Sequence, residues 1–199
     1  MQAEPDTGSP PSVGVDAVVK HLQLFAASFP DGASEPQLTL VNGNHVVSVT
    51  LLRGTNTGPF PGRPGPTNKP IGFQMAHVVD LDAAGQIATE WIVYDHLTMV
   101  GQVQIVPVPT RPVIGEGVAE KTVVLARGDE AETKNLAAYA AEVAAFNAHD
   151  LATFGAGLAD DLVWSELALQ ADQAKSEVGK RDRNWLFYNS AEVVQQLGG

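Results

Sequence analysis

Five side chains able to move a proton or wall a carbonyl pocket fall within one short stretch: Glu90, Trp91, Tyr94, Asp95 and His96. They belong to Ile87–His96, an apolar, valine- and isoleucine-bearing segment. It follows a second such segment, Ile71–Leu81, which carries His77. Asp82-Ala83-Ala84-Gly85 between them reads as a tight turn, with Gly85 free to adopt a positive φ. The two segments therefore form a β-hairpin. A carboxyl buried in an apolar pocket on such a hairpin has its pKa raised by desolvation, toward values useful for proton transfer. Alternation along a strand puts His77 on one face with Phe73, Met75 and Val79. It groups Asp95 with Trp91 and Val93, and His96 with Glu90, Ile92 and Tyr94. Asp95 and His96 thus face opposite ways unless a bulge intervenes. Each candidate also has a plainer reading. Asp95 can cap the turn after Tyr94, and a lone histidine on an apolar face is more often a hydrogen-bonded core residue than a base.

The elements that must position these groups are legible on either side. Val15–Phe29 places Val15, Val18, Val19, Leu22, Phe25, Ala26 and Phe29 at helical spacing, and Pro30-Asp31-Gly32 stops the helix. Gln37–Val41 and His45–Arg53 form a second hairpin around Asn42-Gly43. Leu97–Val106 extends the last strand or bends off it. Helix first, antiparallel meander after, predicts an α+β layer.

Four pieces of this stretch, in order, resemble the polyketide-cyclase-like (SnoaL-like) branch of the nuclear-transport-factor-two-like superfamily. They are Phe25-Ala26-Ala27-Ser28-Phe29-Pro30-Asp31 at the helix end, Gly54-Thr55-Asn56-Thr57-Gly58 at a strand end, Pro66-Thr67-Asn68 in a Gly/Pro-rich crossing, and Gly85-Gln86-Ile87-Ala88-Thr89-Glu90-Trp91 with Asp95. None is specific alone; the order is. The resemblance covers Val13 to Val106 and implies a curved antiparallel sheet around a helix, enclosing a conical apolar pocket. It implies cofactor-free acid/base chemistry at an enolisable carbon, with Asp95 as the matched terminal carboxylate. Asn56 would orient a substrate carbonyl, or hold the crossing loop by an Asx-turn. Phe73, Trp91, Tyr94, Tyr139 and Trp164 would wall the pocket, where wall and core overlap. His77 is the replacement base. Two departures stand out. The family's aldol cyclases carry their catalytic Asp where Ile92 stands, and a His where Asn56 stands, which argues against that specific activity.

The later chain reads differently. Met1–Ser12 is a loose entry segment. Residues 13–108 form the helix-and-sheet unit, and 109–134 a linker with a short strand near Thr122–Ala126. In residues 135–199, Leu136, Tyr139, Ala140, Val143, Ala144 and Phe146 make an apolar stripe on an Ala-rich helix. Asp150 N-caps a short helix at Leu151–Leu158, and Asp160–Ser165 turns into a strand. This block resembles the opening of the same family's domain, in the wrong place, and Asp172–Gln196 a weaker copy of its third helix. The order implies a permuted domain, a swap between two chains, or two incomplete domains, because a few-stranded sheet with one helix leaves an apolar face wet.

Composition narrows the function. No cysteine is present among 199 residues, which excludes thiol nucleophiles and Cys-based zinc. A formal net charge of −11 argues against nucleic acid. No apolar run reaches membrane-spanning length, and Met1–Ser12 lacks signal-peptide character, so a cytoplasmic protein is expected. His and carboxylate spacing supports no metal site. The leading expectation is a cofactor-free cyclase, isomerase or hydratase acting on a small hydrophobic carbonyl compound such as a polyketide, and a homodimer. The alternative is a non-catalytic small-molecule-binding or dimerisation module, and a third is a degenerate paralogue without activity.

Overall fold

The computed structural model describes residues 1–3, 10–60, 65–108, 110–160, 162–166, 173–174 and 183–186. In chain order the elements are β1 (Gln2–Ala3), α1 (Val15–Ser28), β2 (Ala33–Asn42), β3 (His45–Thr55), β4 (Pro70–Leu81), β5 (Ile87–Val93) and α2 (His96–Gln102). Beyond them come β6 (Thr122–Leu125), α3 (Glu130–Asn147), α4 (Leu151–Ala156), β7 (Val163–Glu166), β8 (Gln173–Ala174) and β9 (Arg183–Leu186).

Both turns form where glycine was expected to allow them: Gly43 has φ 59° and Gly85 φ 76°. They close β2–β3 and β4–β5, and β3 pairs with β4 from His45↔Asp80 to Thr55↔Pro70. The resulting sheet runs β1-β5-β4-β3-β2-β6 and is open at both edges. It is mixed rather than purely antiparallel. β1 lies parallel to β5 and β6 parallel to β2, so part of the expected loose entry segment and part of the expected linker are edge strands.

The core lies on one face. Leu52, Ile71, Phe73, Met75, Ile92 and Tyr94 pack there with Phe29 from the end of α1 and with Met99, Val100 and Val103 from and just after α2. Phe29 stacks on Phe25 at 5.0 Å and meets Phe60 edge-on at 6.1 Å. Facing inward along α1 are Val18, His21, Phe25 and Ser28, a helical spacing rotated from the expected stripe; Val15, Val19 and Leu22 are exposed.

β5 is shorter than β4, and α2 takes up the difference. The segment expected to prolong β5 turns at Tyr94-Asp95 into a helix, because Asp95 supplies its N-cap. Gln102 on that helix then serves Gly72 as a neighbouring strand would: its Oε1 accepts from Gly72 N at 3.0 Å and its Nε2 donates to Gly72 O at 3.1 Å. Ile114 crosses so close to Gly72 that a Cβ there would collide with its carbonyl oxygen.

Asp150 caps α4, accepting from Thr153 N as expected. Among the described residues, β7 pairs with β8 and β9 in a separate three-stranded sheet and not with the six-stranded one. The helix expected within Asp172–Gln196 falls mostly outside the described residues; the described parts, β8 and β9, are strands.

Candidate active site

The largest departure from expectation concerns Asp95. It is 3% exposed, but its Oδ2 accepts from Thr98 N at 3.0 Å and Thr98 Oγ1 at 2.6 Å. That is the capping role. It lies at the edge of β4 where β5 has ended, beside a narrow crevice lined by Gly72, Phe73, Gln74, Thr98, Arg111 and Ile114. Asn56 is fully buried and holds the crossing loop: Nδ2 donates to Ser28 O at 2.9 Å and Gly58 O at 3.0 Å, while Oδ1 accepts from Thr67 N at 2.9 Å. The amide's hydrogen bonds go to backbone, so the clamp reading holds and the substrate-orienting one does not. Gly58 is required here, since a Cβ would overlap the Ala27 carbonyl of α1.

The expected aromatic walls separate as well. Phe73 and Tyr94 stack at 5.7 Å inside the core. Trp91 points away from that core, 46% exposed, because its partner Val78 and its neighbour Ala3 belong to the outer face. Tyr139 is 64% exposed on α3, which packs against α4 and not on the sheet. Trp164 lies on β7, and its side chain falls outside the described residues.

His77 is different. It follows Phe73 and Met75 on the core-bearing face of β4, and its Nδ1 lies 2.8 Å from Glu90 Oε1. Glu90 sits one step diagonally across the β4–β5 ladder, where His77 pairs with Ile92 and Val79 with Glu90. The other carboxylate oxygen, Oε2, accepts from Gln2 Nε2 on β1 at 3.0 Å. The Glu90 carboxyl is held below the ordinary glutamate range, chiefly by the hydrogen bond from His77 and against the opposing effect of burial. An ionised carboxylate only accepts, so Nδ1 of the neutral ring carries the proton and Nε2 keeps its lone pair. Nε2 is buried and has no protein partner. A histidine oriented by a carboxylate, with its second nitrogen unengaged, is the arrangement of a general base.

Glu90 and Gln2 were missed as site residues. The signal for Glu90 was present in the hairpin, but a bulge hides it. The register shifts between Asp80 and Leu81. Counted from Leu81↔Ile87 without that shift, Glu90 would sit beside Val78 on the opposite face from His77. Gln2 could not have been found, because two-residue edge strands carry no periodicity.

This combination defines a class first: an open α+β sheet with a helix across its core face, of the nuclear-transport-factor-two-like type. The chain belongs to the SnoaL-like polyketide cyclase family, whose model matches residues 2–103, just over half of its length and everything from β1 to the end of α2. Solved structures similar to it include a candidate SnoaL-like polyketide cyclase from Jannaschia sp. CCS1 (21% identity over 50% of this chain and 67% of that one, TM-score 0.46). Others are AclR, a candidate hydroxylase from Streptomyces galilaeus (19%, 48% and 60%, 0.43), and IdmH, a candidate polyketide cyclase from Streptomyces antibioticus (25%, 52% and 76%, 0.43). The chain thus spans 60% to 76% of the length of these three. No curated protein matches it. Among the described residues no helix is long and apolar enough to cross a membrane, and no group of three His, Asp or Glu side chains could hold a metal ion.

Proposed function

We propose that the protein is a cofactor-free acid/base enzyme of cyclase, isomerase or hydratase type, acting on a small hydrophobic carbonyl compound such as a polyketide. His77 is its base and Glu90 the group that orients and supports that base. The observation that carries this is the buried, unpartnered Nε2 of a histidine whose Nδ1 is held at 2.8 Å by a carboxylate. In the proposed step Nε2 takes the proton from a carbon next to the substrate carbonyl, leaving an enolate. The imidazolium, stabilised by Glu90, returns that proton to carbon or oxygen. Asp95, the matched family carboxylate, keeps a structural part at the start of α2. Family membership supports the substrate class; Ile92 in place of the aldol cyclases' Asp speaks for a different proton transfer.

The test is deuterium exchange. A panel of neutral enolisable ketones incubated with protein in D2O, followed by NMR, is expected to show C–H to C–D exchange that His77→Gln removes. Exchange equal in wild type and His77→Gln defeats the reading.

A homodimer is the accompanying proposal, and one observation favours it and the assembly-module alternative together. Leu136, Tyr139 and Phe146 form an exposed apolar line on α3, and Val15, Val19 and Leu22 another on α1. Unpartnered apolar stripes of this extent favour association.

A further inference from the structure

Three side-chain atoms on or beside the face that carries His77 are buried without a protein partner: His77 Nε2, Thr50 Oγ1 and Gln2 Oε1. Thr50 pairs with Met75 in the β3–β4 ladder and so shares that face; Gln2 pairs with Glu90 from β1. Gln2 and Thr50 are only 5% and 4% exposed. An isolated buried polar atom costs about 1–3 kcal/mol, so three gathered on one sheet face mark a place where a ligand supplies the missing hydrogen bonds.

Their chemistry says which half of each bond the ligand brings. Glu90 Oε1 can only accept, which fixes the proton on His77 Nδ1 and makes Nε2 an acceptor. Glu90 Oε2 likewise accepts from Gln2 Nε2, which fixes the amide's orientation and leaves Oε1, an acceptor, as the free end. Thr50 can donate or accept. Strand alternation places no Lys or Arg on this face of β3, β4 or β5, so the sheet offers no cation to an anionic ligand.

We propose that this face takes an uncharged ligand through at least two of the ligand's own hydrogen-bond donors, enolic, phenolic or alcoholic O–H groups, rather than through a bare carbonyl. The proposal rests on the reading of His77 as the base of the site and names the substrate class more closely: a hydroxylated carbonyl compound or its enol, not a simple ketone.

The experiment compares 1,3-dihydroxynaphthalene with its dimethyl ether, matched in shape and differing in donors. Binding to the intact protein is measured by NMR titration, with the ¹⁵N resonance of His77 Nε2 as the local readout. The diol is expected to bind about tenfold or more tightly than the ether, the order of one or two buried hydrogen bonds. It should move the Nε2 resonance, and its advantage should shrink in Gln2→Leu and in the nearly isosteric Thr50→Val. Equal binding of the ether, no binding of the diol, or an advantage unchanged in both variants overturns the proposal. The two readings fail separately. Donor preference without deuterium exchange on ketones sinks the catalytic assignment alone, and exchange without donor preference sinks this inference alone.

Discussion

The same hairpin strand, β4, carries one half of two carboxylate–histidine pairs, and they differ in what surrounds them. His45 Nδ1 meets Asp80 Oδ1 at 2.6 Å across the β3–β4 ladder, with side chains 64% and 44% exposed; His77 meets Glu90 at 2.8 Å, at 20% and 18%. Asp80 takes a second hydrogen bond from Thr89 Oγ1 at 2.7 Å, and Glu90 one from Gln2 Nε2 at 3.0 Å. The wiring is nearly identical. Water reaches the first pair and competes for every proton there, whereas the second holds a lone pair away from water beside the apolar core. Pairing a histidine with an acid therefore does not make a base site; withholding solvent from the free nitrogen does.

The most severe test of that contrast is to remove each histidine. His77→Gln is expected to lower exchange on enolisable substrates by about 100-fold or more, the usual share of a general base, while His45→Gln leaves the rate as it was. Equal losses from the two variants erase the distinction.

Asp95 offers the next test, because it is a buried carboxyl with its hydrogen bonds already made. Asp95→Ala should lower unfolding free energy by about 1 kcal/mol, the ordinary cost of a lost N-cap, measured by urea denaturation. Activity per folded molecule should persist. An Asp95→Asn variant that folds normally but has lost exchange restores Asp95 as the acid and demotes His77.

A smaller effect separates the pairs in acid. Glu90 titrates below its ordinary value, so its stabilising contribution is complete above the unfolded-state pKa and fades as pH falls through the folded one. The Tm advantage of wild type over Glu90→Gln should therefore be greatest near neutrality and shrink as the solution is acidified through the carboxylate range. Asp80 is shifted in the same direction, chiefly by Thr89 and then by His45, but stands in solvent. Asp80→Asn should give the smallest change of all, a Tm indistinguishable from wild type at moderate salt. A Glu90→Gln advantage that grows on acidification contradicts the assigned partnership.

Much of the frame could be read before the structure. Asn42-Gly43 and Asp82–Gly85 placed both hairpins, Pro30-Asp31-Gly32 ended α1, and Asp150 announced α4, because turns and caps are written in a few adjacent residues. The misreadings involve partners far apart in sequence. Tyr94-Asp95 ends β5 because Asp95 reaches Thr98 and Gln102 then reaches back to Gly72, so a stretch of strand-like composition becomes helix. Trp91 faces outward for the same reason that Glu90 faces His77: the bulge near Leu81 sets the register of β5. Family motifs pointed to Asn56 and Asp95, and in this chain those positions hold loop and helix in place.

The central claim is that Glu90 holds His77 with its proton on Nδ1 and its lone pair on Nε2. The measurement that meets it most directly is ¹⁵N–¹H long-range correlation NMR of the imidazoles, with His77 assigned by comparison with His77→Gln. The account predicts a neutral His77 ring protonated on Nδ1, a pattern that Glu90→Gln disturbs. A ring protonated on Nε2, unchanged in Glu90→Gln, contradicts it, because the buried nitrogen would then have no lone pair with which to take a proton.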